Sequence, residues 1–200
     1  KEIRRRLWYT ILELNAQAAL DSGMLPVITD EDYNTQPPSN ASDSDLEDTV
    51  QDKLPARVSF QMVLAGSLSV RQRALRVINS LQEEPSYEQV LALGNELDLA
   101  RRDAATEIQR AFSAGRTARF ALSYCSHLLR RFPLCLHFPY AIRAQKNPIY
   151  SYSQKVCLAS AQDILSLLED DLYGRLLLTG GGMFRDIITR CALIIFLGLC

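Results

Sequence analysis

Residues 1–40, KEIRRRLWYTILELNAQAALDSGMLPVITDEDYNTQPPSN, govern the reading of the whole chain. Apolar side chains at Ile3, Leu7, Ile11, Leu14 and Ala18 recur at helical spacing, with Trp8, Leu12, Asn15 and Ala19 as a second stripe beside them. The pattern predicts a helix buried on two sides. Gly23 is placed to take the left-handed conformation that ends a helix, and Pro26 blocks its resumption, so the helix should stop at about Ser22. From Asp21 to Asp52 the chain has nine Asp or Glu and no Lys or Arg, so this stretch needs cations or backbone donors to hold it. Arg4, Arg5 and Arg6 are the nearest cations, and Val27, Ile28 and Tyr33 offer apolar anchors. The expectation is an acidic connector, residues 24–55, lying back across a basic helix.

Working outward, 200 residues with 48% hydrophobic content suit one domain able to bury about 70% of its extended surface. The net charge of -1 and pI near 6.2 argue against a nucleic-acid surface, which needs clustered Lys and Arg. Five cysteines, Cys125, Cys135, Cys157, Cys191 and Cys200, are odd in number and widely spaced, as expected of reduced thiols. No basic-then-apolar leader opens the chain, and its longest apolar run, Cys191 to Cys200, is too short to span a bilayer. The first helix lacks a capping residue and the last residues, CALIIFLGLC, are strongly apolar, so residues 1–200 are expected to be a fragment of a longer chain.

Helical spacing continues downstream. Phe60, Val63, Leu64, Leu68, Leu75, Ile78 and Leu81 mark a stretch that Gly66 can divide, and Arg71, Arg73 and Arg76 within it scatter around the helix as solvated or connector-pairing charges. Ser86 and Gln89 have the offset of a capping box, opening a long helix to about Ser113 along Val90, Leu97, Ala104, Ile108 and Phe112. A further helix is expected from about Arg116 through Phe138, kinked at Pro133, and Pro148 suits the first turn of the next. A final helix follows Gly180–Gly182. No stretch alternates with a period of two. The fold class is therefore all-α, an irregular bundle of about six or seven helices with an extended acidic connector.

Two stretches carry a family resemblance. The run Arg5, Arg6, Leu7, Trp8, Tyr9, then Ser22, Gly23, Pro26, then Ile28, Asp30, Asp32, Pro37, Pro38 resembles the regulatory, or middle homology, region of fungal zinc-cluster transcription factors. Tyr9 stands where a second Trp is common, Asn15 where an acid is frequent and Leu25 where another proline often sits. In the second half, Arg130, Arg131, Leu136, His137, Phe138, Asn147, Pro148, Tyr150, Ser153, Lys155, Val156, Cys157 and Leu158 are similar to a pattern in some members. The resemblance implies a nuclear, RNA polymerase II regulatory domain without enzymatic activity, in a factor that binds DNA through a zinc module outside this chain and is often dimeric. It also implies control by a small apolar effector or by binding elsewhere in the factor. Trp8, Tyr124, His127 and Tyr140 are the candidates to line an effector cavity.

Other chemistry is poorly supported. A zinc cluster needs six cysteines in Cys-x-x-Cys pairs, whereas the nearest two here are nine residues apart. Cys125/His127 and Cys135/His137 are two apart, so on a helix they diverge by about 200° and cannot share a metal. His127 and His137 are the available imidazole bases, and both sit in apolar helical sequence. Gly180–Gly182 lacks the flanking strand and Gly-Lys-Ser/Thr of a phosphate loop. Asp30/Asp32 and Asp170/Asp171 resemble the acidic metal sites of all-α prenyl-transfer enzymes, but no second set faces them. No catalytic, cofactor or metal residue is assigned, and no membrane contact is expected. A ligand-free interaction scaffold, presenting an apolar groove to another part of the same factor or to a co-regulator, is the alternative, with a homodimer as a further partner expectation, and an all-α enzyme is the remote one.

Overall fold

A computed structural model describes residues 2–39, 60–81, 84–111, 115–181, 184 and 186–199. The second half of the acidic connector, residues 40–55, lies outside that set, as do Phe112, Gly182, Met183 and Cys200. Among the described residues there are eight α-helices and no strand: α1 Glu2–Ser22, α2 Phe60–Gly66, α3 Leu68–Asn79, α4 Tyr87–Ala111, α5 Arg116–Arg143, α6 Ser151–Ser166, α7 Asp171–Thr179 and α8 Asp186–Leu199. The fold is all-α. The count exceeds six or seven because α2 and α3 are separate helices, and because Asp170 opens α7 by accepting from the backbone N–H of Leu172 at 3.1 Å and Tyr173 at 2.8 Å.

Local sequence accounts for the other boundaries. Gly23 takes a φ of 66° and the Met24 N–H closes the helix end on the Ala19 carbonyl at 3.2 Å. Ser86 and Gln89 cap α4 reciprocally, the Gln89 carbonyl oxygen accepting from Ser86 N at 3.0 Å and the Ser86 hydroxyl from Gln89 N at 3.2 Å. Asn147 accepts from Ile149 N at 3.2 Å and places Pro148 in a single 3-10 turn before α6.

Helix α5 is the hub. It continues through Pro133 and Pro139 to Arg143, where the pattern predicted an end near Phe138. Each proline removes one backbone donor, at about 3 kcal/mol. Burial on three sides offsets that cost: Phe132 faces α1, α3 and α4, Leu128 faces α2 and α4, and Leu134 faces α6 and α8. All three are essentially fully buried.

The first helix departs from expectation. The stripe that enters the core is Tyr9, Leu12, Ala16, Ala19 and Leu20, while Ile3, Leu7, Ile11 and Leu14 are 46–61% exposed and Ala18 is exposed as well. α1 is therefore buried on one side. The connector decides which, because residues 24–39 lie against that side. Asn15 clamps them, accepting from Val27 N at 3.0 Å and Ile28 N at 3.4 Å and donating to the Ile28 carbonyl at 3.0 Å. Asn79 donates to the Met24 carbonyl at 2.6 Å, the Tyr9 hydroxyl to the Thr35 carbonyl at 3.2 Å, and Ser39 N to Glu2 at 2.6 Å. Trp8 and Tyr9 meet Tyr33 edge-on at 5.8 and 6.5 Å.

Among the described residues 24–39, the cation that pairs with the connector comes from α3. Arg5 and Arg6 lie 3.5 and 3.7 Å from Glu2, and Asp30 pairs with Arg76 of α3 at 2.8 Å.

Candidate functional site

A chain of charges joins α1 to its neighbours beneath the surface. Arg71 was read as solvated or connector-pairing, yet it is fully buried. Its guanidinium grips both oxygens of Glu13 at 2.7 Å and also donates to the Leu64 carbonyl at 2.8 Å and the Ser67 hydroxyl at 3.0 Å. Phe132 lies under the same group, 5.4 Å from its carbon. Gln17 donates to Glu13 at 2.8 Å and accepts from Arg131, which also pairs with Asp21. Burial alone would raise the Glu13 carboxyl. The Arg71 charge and hydrogen bonds outweigh it, with help from Gln17 and Arg131, and hold it below the usual carboxylate range. Burial pushes Arg131 down to about 10, so it stays charged at neutral pH.

Two grooves flank this chain. The first, of about 300 Å³, opens between α1, α2 and α5 and is lined by Tyr9, Leu14, Leu64, Leu68, Phe120 and Tyr124, with Thr10, Glu13 and Gln61 as polar wall. The second, of about 500 Å³, lies where the ends of α1 and α3 meet α5 and α8, with Leu20, Ile78, Leu134, Phe138, Leu193 and Ile194 apolar and Asp21, Cys135 and Arg190 polar. Both fall in or near the size range of small-molecule sites. The Cys135 thiol there is half-buried, raised by burial against the opposing charges of Arg190 and Arg131. Burial pushes Cys125, Cys157 and Cys191 up to about 12, which makes them unreactive.

The four cavity candidates have different surroundings. Tyr124 lines the first groove, stacked on Phe120 at 6.1 Å. Trp8 faces the connector. His127 is buried, stacked on Phe184 at 5.3 Å and edge-on to Tyr173 at 6.1 Å. Tyr140 packs with Tyr87 and Tyr150 and donates to the Pro85 carbonyl at 2.7 Å. Glu13 and Gln61, which sequence reasoning passed over, stand beside Tyr124. Polar residues at helical spacing carry no signal of which face is turned inward.

His137 is the other buried histidine. Its Nδ1 lies 2.9 Å from the Ser153 hydroxyl, which is 3.1 Å from the Tyr87 hydroxyl. Ser153 and His137 are both buried, so this resembles a catalytic pair without access to a substrate. Burial pushes His137 down to about 4. That is below its unfolded value near 6.5, so the unfolded chain binds more protons in between, and stability is present above pH 6.5 and lost as pH falls toward 4. A loss of about 2 kcal/mol between pH 7 and 5 is expected from this group, measured by urea denaturation. His137→Gln should flatten that slope.

Among the described residues no three His, Cys, Asp or Glu side chains converge as metal ligands, and no helix is long and apolar enough to cross a membrane. No protein-family model matches the chain, and no solved structure is significantly similar to it. Curated relatives are similar along most of its length. Transcription factor lepE of Aspergillus flavus is 39% identical over 82% of this chain, and transcription factor opdR of Penicillium oxalicum 36% identical over 99%. The Zn(2)-C6 fungal-type transcription factor pigI of Monascus ruber is 28% identical over 82%. The chain spans 20%, 28% and 22% of these relatives' own lengths.

Proposed function

This chain's homologues are fungal Zn(2)-C6 transcription factors, aligned with it over most of its length, and we propose that it is the regulatory middle region of such a factor. The observation that carries this is the 36% identity to opdR across 99% of the chain, at a position covering about a quarter of that protein. Residues 1–200 are then a fragment that works in the nucleus, governs transcription by RNA polymerase II and has no enzymatic role. DNA contact and zinc belong to a cysteine cluster elsewhere in the factor. Deleting residues 1–200 from the full-length factor should change transcript levels of its target by tenfold or more while promoter occupancy by the remainder is retained. Unchanged transcript levels would defeat the proposal.

Two modes of regulation remain distinct. The grooves support an apolar effector, bound by one arrangement of the helices better than another. The exposed stripe on α1 supports the scaffold reading, in which another part of the same factor or a co-regulator docks. A metabolite screen by thermal unfolding separates them: an effector at about 100 times its Kd adds roughly 2.7 kcal/mol and saturates. A flat response across apolar metabolites favours the scaffold.

A further inference from the structure

Three thiols carried by three helices meet in one apolar interior: Cys157 of α6 and Cys191 of α8 are fully buried there, and Cys135 of α5 packs against that cluster. Among the described residues Cys135 is the one cysteine that is not buried, and it borders the groove of about 500 Å³. A reagent entering from solvent therefore meets Cys135 first. Arg190, on the polar wall of the same groove, places Nη1 3.8 Å from the Cys135 sulfur and favours negative charge on it, against the opposing effect of burial. Behind it, the Cys157 thiol donates to the Leu134 carbonyl at 3.6 Å. That oxygen and the Cys135 Cα share one peptide plane, so the Cys157 sulfur is within about 6.5 Å of the Cys135 Cα. A disulfide joins Cα atoms up to about 6.8 Å apart, so side-chain rotation and a small approach of α6 to α5 would link the two.

Leu20, Ile78, Phe138 and Leu193 give the groove an apolar wall suited to a hydrocarbon body, and the Arg190 guanidinium is a donor for a polar oxygen beside the thiol. We propose that Cys135 is a site of reversible oxidation by apolar organic hydroperoxides, and that Cys157 resolves the oxidised sulfur as a disulfide between α5 and α6. In the first step the Cys135 sulfur attacks the terminal peroxide oxygen: an S–O bond forms, the O–O bond breaks, and the thiol proton leaves with the alcohol. Sulfur is oxidised to the sulfenic acid and the hydroperoxide is reduced. In the second, the Cys157 sulfur displaces that oxygen: an S–S bond forms, the S–O bond breaks, and the Cys157 proton leaves in a molecule of water. Burial makes Cys157 unreactive toward reagents in solution, but its partner is held beside it, which makes this step intramolecular.

The test treats the full-length factor with cumene hydroperoxide, blocks the remaining thiols with iodoacetamide and maps linked peptides by mass spectrometry. The expected product joins Cys135 to Cys157, disappears on dithiothreitol and is absent in Cys135→Ser. In Cys157→Ser, dimedone should capture several-fold more Cys135 sulfenic acid than in the unmodified sequence. With each rate divided by that of glutathione, cumene hydroperoxide should consume the Cys135 thiol several-fold faster than hydrogen peroxide does. Linkage of Cys135 to Cys191 or to a cysteine outside residues 1–200, a Cys135 thiol still open to iodoacetamide after treatment, or equal normalised rates would overturn the proposal. The pairing is read in the unmodified sequence, so it is decided whether or not the serine variants fold. The readout needs no promoter and is independent of the deletion experiment above.

Discussion

Arg71→Ala is expected to destabilise the domain by about 3–5 kcal/mol, because it strips the charge partner from a largely buried carboxylate. Glu13 would keep the Gln17 amide and the more distant Arg131, while the Leu64 carbonyl and Ser67 hydroxyl lose a donor each. Against a total stability of about 5–15 kcal/mol this is a large fraction, and melting should fall by on the order of 10 °C. Removing both charges tests the cause. Glu13→Leu/Arg71→Met replaces a buried ion pair by apolar groups and should recover most of the loss, a strong non-additivity visible in urea denaturation. If the double variant is as unstable as the sum of the singles, the pair is not what joins α1 to α3.

Gly94→Ala should cost about 3 kcal/mol, opposite in sign to the usual gain of up to about 1 kcal/mol when alanine replaces glycine within a helix. A Cβ at Gly94 of α4 would collide with His137 Nε2 and come within 3.2 Å of Cε1. The imidazole cannot retreat, because Nδ1 is held by Ser153 and the ring is buried between helices. Either the close approach of α4 to α5 widens or the hydrogen bond breaks. Gly94→Ala/His137→Ala should be more stable than Gly94→Ala alone, as shortening the ring's site makes space for the new methyl. Equal denaturation midpoints for the two variants would contradict this packing.

Much of the architecture is legible in residues that act locally. The Gly23 turn, the Ser86/Gln89 cap, the break at Gly66 and the Pro148 start each depend on atoms within four residues, and each occurs as read. What escaped depends on partners far along the chain. Both stripes of α1 are apolar enough to bury, and the choice between them is made by Asn15 holding residues 27 and 28, whose position a helical wheel does not contain. Arg71 looks like any surface arginine until Glu13, 58 residues earlier, is placed beside it. The cavity candidates share the same difficulty: aromatic residues mark where burial occurs, not which of several interiors receives each ring. Tyr124 borders a groove while His127 and Tyr140 fill core, for reasons that lie in α1, α4 and α7 and not in α5 itself.

The two prolines and three inward faces of α5 bear on how the molecule could be divided. Leu128, Phe132 and Leu134 fall within two turns yet belong to three separate interiors, so no cut through that helix leaves either piece with a complete core. Pieces severed within Arg116–Arg143 would each present an uncovered apolar trough. They would regain shape chiefly by complementing one another when mixed, as two parts of a lock recover their function only when the shared bolt is returned.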